Sequence, residues 1–99
     1  MKRKKLTSEE IAAELISLPG WEIKDGKLYK QYKFKSFAQA IGWMVSVAIH
    51  ADKMDHHPEW ANVYNRVMVS LVTHDLGNSI SSLDVALAKQ IEGLADPLM

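Results

Sequence analysis

Trp21-Glu22-Ile23-Lys24-Asp25-Gly26-Lys27-Leu28-Tyr29-Lys30-Gln31-Tyr32-Lys33-Phe34 holds two strand-like runs on either side of an Asp-Gly pair. That pairing signals a hairpin, because a type I′ turn needs positive φ at both central positions. Upstream, Thr7 and Glu10 have capping-box spacing, and Leu6 and Ile11 sit where a hydrophobic staple places them. Ile11, Leu15 and Leu18 then repeat at helical spacing until Pro19-Gly20 stops the helix. Downstream, Ser36 and Gln39 form a second capping box, opening a helix that runs to about Asp52. The polar stretch 52–59 ends in Pro58, which closes that helix.

A second hairpin follows. Trp60 to Tyr64 and Arg66 to Thr73 read as strands around Asn65, with Val67, Val69 and Leu71 alternating against Arg66, Met68 and Ser70. Gly77-Asn78 marks a loop, and Ser81 with Asp84 caps a last helix. Val85, Ala88, Ile91 and Leu94 form its inner stripe, and Pro97 ends it. The order is α-β-β-α-β-β-α. It predicts an α+β fold, a four-stranded antiparallel sheet with three helices on one face.

At 99 residues the chain reads as a single domain over 1–99, with residues 1–5 a solvated, disordered basic tail. Lys and Arg number 12 and Asp and Glu 12, so the net charge is zero and the field of a dedicated nucleic-acid binder is absent. Cysteine is absent, which excludes a disulfide framework, a thiolate metal site and a cysteine nucleophile. No signal-peptide apolar run follows the basic start and no 18-residue apolar run exists, so a soluble cytoplasmic protein with no membrane span is expected. From Phe37 to Ala51, eleven of fifteen residues are apolar; the exceptions Gln39, Gly42, Ser46 and His50 line one narrow stripe. One sheet in so small a domain does not cover every side of such a helix. A subunit interface in a homodimer or homotetramer is the expected cover.

The four histidines, His50, His56, His57 and His74, fall within 25 residues. No two are spaced i, i+4 on a helix, and adjacent His56 and His57 rarely face one ion, so no metal is expected despite Asp52 and Asp55 nearby. Surface or capping duty suits an isolated histidine, and acid–base catalysis suits a group that titrates near ~6.5. Spacing alone leaves both open.

The string Asp52-Lys53-Met54-Asp55-His56-His57-Pro58-Glu59-Trp60, followed by Asn62-Val63-Tyr64-Asn65, Thr73-His74 and Asp84, resembles the signature of the pterin-4a-carbinolamine dehydratases. The resemblance extends from Trp21 to the last helix and implies the same three-helix, four-stranded fold. It implies dehydration of 4a-hydroxytetrahydropterin to quinonoid dihydropterin in tetrahydropterin recycling, without a metal or organic cofactor. By position it makes His56, His57 and His74 the acid–base and binding histidines. Asp52 becomes an orienting carboxylate, Asp55 a possible pterin ligand or helix terminator, and Trp60 a stacking ring or a core residue. Thr73 either aims the His74 backbone or simply continues its strand. Asp84 reads as a helix cap, and His50 as part of the polar stripe. Animal members of the family also serve as dimerisation cofactors for a transcription factor, so a binding module built on the apolar helix 37–51 is the alternative.

Overall fold

The computed structural model describes residues 3–99. Its elements are α1 (Ser8–Leu15), β1 (Glu22–Lys24), β2 (Lys27–Lys33), α2 (Phe37–Met54), β3 (Glu59–Val63), β4 (Arg66–Leu71) and α3 (Ser82–Ala95), with a short 3-10 turn at His74–Leu76. The expected order and class hold: the four strands form one antiparallel sheet in the order β1-β2-β4-β3. Asp25 and Gly26 both adopt positive φ, at 54° and 75°, as the Asp-Gly turn requires. Tyr64, at φ 53°, turns the second hairpin, and Asn62 Nδ2 ties that turn by donating to the carbonyls of Tyr64 and Arg66.

The caps account for where the helices begin. Thr7 and Glu10, and Ser81 and Asp84, complete both bonds of a capping box. At α2 the second bond goes elsewhere: Ser36 accepts from Gln39 N–H, while Gln39 Oε1 reaches the N–H of Lys35 rather than of Ser36. α1 stops a turn before Pro19, yet Leu18 remains fully buried below it. The basic stretch does not behave as a solvated tail from residue 3 onward. Lys5 pairs with Ser81, the Lys4 N–H donates to Ser82 Oγ, and Arg3 forms an ion pair with Asp75. Unmet backbone groups ahead of α3 offer these residues a strand-like partner, and that outweighs the solvation of three side chains that stay in water anyway. Met1 and Lys2 lie outside the described residues.

Strand alternation puts Leu28, Tyr32, Val67, Val69 and Leu71 on the helix-covered face, where they pack with Trp43, Val47, Leu87, Ala88 and Ile91. At the end of this core, Glu92 on α3 gathers three donors through one oxygen. Trp21 Nε1 donates to Glu92 Oε1 at 3.0 Å, Lys30 Nζ at 2.5 Å, and the Tyr32 hydroxyl also donates there. Burial pushes the Glu92 carboxyl up, but the bonds from Lys30 and Tyr32 win and hold it below the usual carboxylate range. Burial and the adjacent Glu92 charge push the Tyr32 hydroxyl well up, so it stays a donor.

Glu92→Ala strands Trp21 Nε1 and the Tyr32 hydroxyl and leaves Lys30 only the Pro19 carbonyl, and is expected to cost about 3 kcal/mol, a fall of roughly 10–20 °C in melting temperature for a domain this size. A carboxyl whose folded value lies below its unfolded one stabilises fully above about pH 4.3, and less as pH falls through the folded value. Thermal unfolding of the wild type and Glu92→Gln should therefore converge in acid. A gap constant from pH 7 to 3 excludes the charged form of Glu92 as the source.

Candidate functional site

A cavity of about 1060 Å³ opens where the end of α2, the start of β3, the end of β4 and the first turns of α3 meet. His56, His57, His74, Asp55 and Thr73, all singled out from the sequence, line it together with Glu59 and Arg3. Two chain segments, 56–57 and the turn at His74, thus bring three imidazoles to one hollow.

His56 owes its place to the way α2 ends. Asp55 takes the left-handed conformation, φ 51°, which aspartate tolerates better than most residues. Its N–H bonds back to the last turn, and the His56 N–H reaches the Ala51 carbonyl at 3.1 Å. The chain is thereby turned inward, and His56 is 9% exposed. Its Nε2–H donates to Asp84 Oδ1 at 2.6 Å. Asp84 is completely buried; its Oδ2 accepts from Thr73 Oγ1 and from the Ser81 N–H, each at 2.8 Å. The Thr73 hydroxyl proton being used there, Ser81 Oγ donates to Thr73 Oγ1 at 2.6 Å and accepts from the Leu83 N–H. With Nε2 committed to Asp84, Nδ1 is the His56 nitrogen left with a free lone pair.

His57 and His74 are exposed. Asp52, on the last turn of α2, accepts from His57 Nε2–H at 3.0 Å, which orients that ring from outside the cavity. His74 sits on the 3-10 turn after β4, with Nδ1 2.8 Å from Asn78 Oδ1 and Nε2 3.1 Å from Glu59 Oε2. Glu59 in turn accepts from Lys27 Nζ at 2.5 Å. The Lys27 bond first, with the neighbouring His74, holds the Glu59 carboxyl below its usual range.

For Trp60 the core alternative holds, and Thr73 takes a role outside both of its alternatives. Trp60 does not line the cavity: strand alternation faces it to the helices beside Val69, with its ring 6.4 Å from that of Trp43. It packs against the core, so it is no stacking platform here. Thr73 neither merely continues its strand nor aims His74; it locks Asp84. Sequence reading stopped at the cap for Asp84, which also anchors His56, and passed over Glu59. For Asp84 the signal was a cap residue able to offer a second oxygen; for Glu59 it was a carboxylate two residues from His57. His50 bonds the Ser46 carbonyl through Nδ1 on α2 and takes no part in the cavity. Among the described residues, no group of three or more His, Asp or Glu is placed to hold a metal ion.

A family model described as pterin 4 alpha carbinolamine dehydratase matches residues 4–94. A Prochlorococcus marinus protein named as a candidate pterin-4-alpha-carbinolamine dehydratase is 46% identical over 94 residues, 95% of this chain and 97% of its own. A Brucella ovis protein of the same name is 42% identical over 97 residues, covering 96% and 99%. Among solved structures, a transcriptional coactivator/pterin dehydratase from Brucella melitensis superposes with a TM-score of 0.88 at 41% identity, covering 93% of this chain and 99% of that one. A pterin dehydratase-like protein identified as a RuBisCO assembly factor shares the fold alone, with a TM-score of 0.61 at 24% identity over 76% of this chain and 86% of its own.

Asp84→Ala removes a cap and leaves His56 and Thr73 without their acceptor, so a loss of about 3 kcal/mol or more is expected. His57→Ala, at an exposed position, should stay within about 0.5 kcal/mol of wild type. Chemical denaturation of both variants checks the contrast; equal losses would contradict the network described.

Proposed function

Because the chain belongs to the pterin-4α-carbinolamine dehydratase family, we propose that it expels water from a 4a-hydroxytetrahydropterin to give the quinonoid dihydropterin, by histidine acid–base chemistry. The observation that carries this reading is the meeting of His56, His57 and His74 in one cavity. The reaction needs a proton taken from N5, a double bond formed between N5 and carbon 4a, and a proton given to the departing hydroxyl. The pterin supplies its own electron push, so no metal or organic cofactor enters the scheme.

His56 suits the base. Its Nε2–H is held by Asp84, its Nδ1 lone pair is free, and the buried carboxylate stabilises the imidazolium that forms. His74 suits the acid, since a ring flanked by a carboxylate and an amide oxygen is arranged to carry protons. His57, held through Nε2 by Asp52, presents Nδ1 as an acceptor for a pterin N–H, and Asp55 at the rim offers a second acceptor. His57→Ala and His74→Ala should each lower turnover of a carbinolamine by about 10²-fold above the uncatalysed background. If both keep near-wild-type turnover, the proposed chemistry is wrong. A matching fall in melting temperature would favour a structural role.

A second surface supports the binding-module reading. Phe37, Ile41, Val45 and Ile49 repeat every four residues along α2 and remain 36–56% exposed. The Brucella melitensis relative is described as a transcriptional coactivator as well as a dehydratase. Our reading gives the stripe first to another copy of the chain, in a homodimer or homotetramer, because apolar surface repeated on every copy is self-complementary. Light scattering at micromolar concentration should give a multiple of 11.2 kDa; a strictly monomeric mass overturns the self-association.

A further inference from the structure

Glu59 is the one carboxylate of the cavity wall that touches a candidate catalytic histidine and is itself tied by a cation. It stands on the edge strand β3, facing Ser70 across the ladder, and Lys27 reaches it from β2 past β4. Its two oxygens divide their work: Oε1 takes Lys27 Nζ at 2.5 Å, and Oε2 lies 3.1 Å from His74 Nε2. A carboxylate that close requires Nε2 to carry its proton, since two facing lone pairs repel. By the same reasoning the other nitrogen, Nδ1, donates its hydrogen to Asn78 Oδ1 at 2.8 Å.

The two contacts are unequal. Asn78 is exposed, sits in the left-handed conformation on a loop, and holds His74 by a neutral amide. Glu59 is charged and anchored to the sheet through Lys27. A hydrogen bond to a charged group is stronger than one between neutral groups, so an entering ligand displaces Asn78 before Glu59. We propose that Glu59 is a positioning residue: it fixes the His74 ring and keeps a proton on Nε2, so that Nδ1, released by Asn78, is the nitrogen that exchanges a proton with the substrate. The assignment of Nδ1 to the departing hydroxyl rests on the dehydratase reading; the fixing of the ring does not. In the reaction, Nδ1–H gives its proton to the hydroxyl, the carbon 4a–oxygen bond breaks, and water leaves. His74 remains neutral with its proton on Nε2, and solvent restores the other.

The test uses the full chain labelled with ¹⁵N at histidine. When its ring is neutral, wild-type His74 should show Nε2 protonated and Nδ1 bare, with the Asn78 amide turned to present its NH2 to Nδ1, the pattern of a single tautomer. Glu59→Gln can satisfy Nε2 only weakly, and Glu59→Asp retracts the carboxylate by one methylene, so both should show a mixture of tautomers. Turnover of a carbinolamine should fall about tenfold in both through kcat, with KM little changed. A His74 pattern identical in wild type and both variants overturns the proposal whatever the activity. A changed pattern in proteins that never dehydrate a carbinolamine, wild type included, supports the positioning and overturns the dehydratase reading. Unchanged kcat despite a changed pattern removes His74 Nδ1 from the chemistry and overturns the proposal in that part.

Discussion

A carboxylate taken wholly out of water is stable only if its lone pairs are met, and Asp84 meets them without a lysine or arginine. One oxygen takes an imidazole N–H, and the other takes a hydroxyl and a backbone amide. Each of those donors belongs to a different piece of the fold. His56 ends α2, Thr73 follows β4, and Ser81 begins α3. The carboxylate therefore fixes where a helix stops, where a strand leaves the sheet and where the last helix starts. The cavity lies where those three ends meet, so its shape follows from satisfying one buried charge.

Much of this architecture was legible in the sequence because the signals are short. Asp25-Gly26 sets a turn within two residues, and the capping boxes act over three. Alternation in Arg66–Leu71 declares which face is buried. What stayed hidden depends on long separations. His56 and Asp84 lie 28 positions apart, so nothing local marks a cap residue that also anchors an imidazole. Lys27 and Glu59 are 32 apart and meet only because β4 lies between their strands. Trp60 stayed between two readings for a related reason. An aromatic ring beside a histidine pair suggests stacking, but one step along a strand reverses the face, and Trp60 belongs with Trp43. The basic start misled because composition describes its solubility and says nothing of the unpaired backbone at Ile80–Ser82 that receives it.

The cavity and the apolar stripe of α2 use different ends and sides of the same helix. Its C-terminus supplies Asp52, Asp55 and His56, while Phe37, Ile41, Val45 and Ile49 face outward along its length. A partner seated on the stripe leaves the histidines open to a small molecule. The two proposed roles therefore do not compete for the same surface.

The pairing of Lys5 with Ser81 closes a loop of most of the chain, and the Leu6 N–H to Ile80 carbonyl bond lies beside it. Closing so long a loop carries an entropic cost that the two hairpins, with their neighbouring strands, do not bear. Loop-closure entropy therefore favours the hairpins and α2 forming ahead of the docking of residues 3–6. In the folded protein Arg3, Lys4 and Lys5 are exposed and Leu6 half-buried, so few buried contacts hold this segment to the rest. Arg3 and its partner Asp75 stand at the rim of the cavity, so the segment with the longest loop to close and few buried contacts is also a wall of the candidate site.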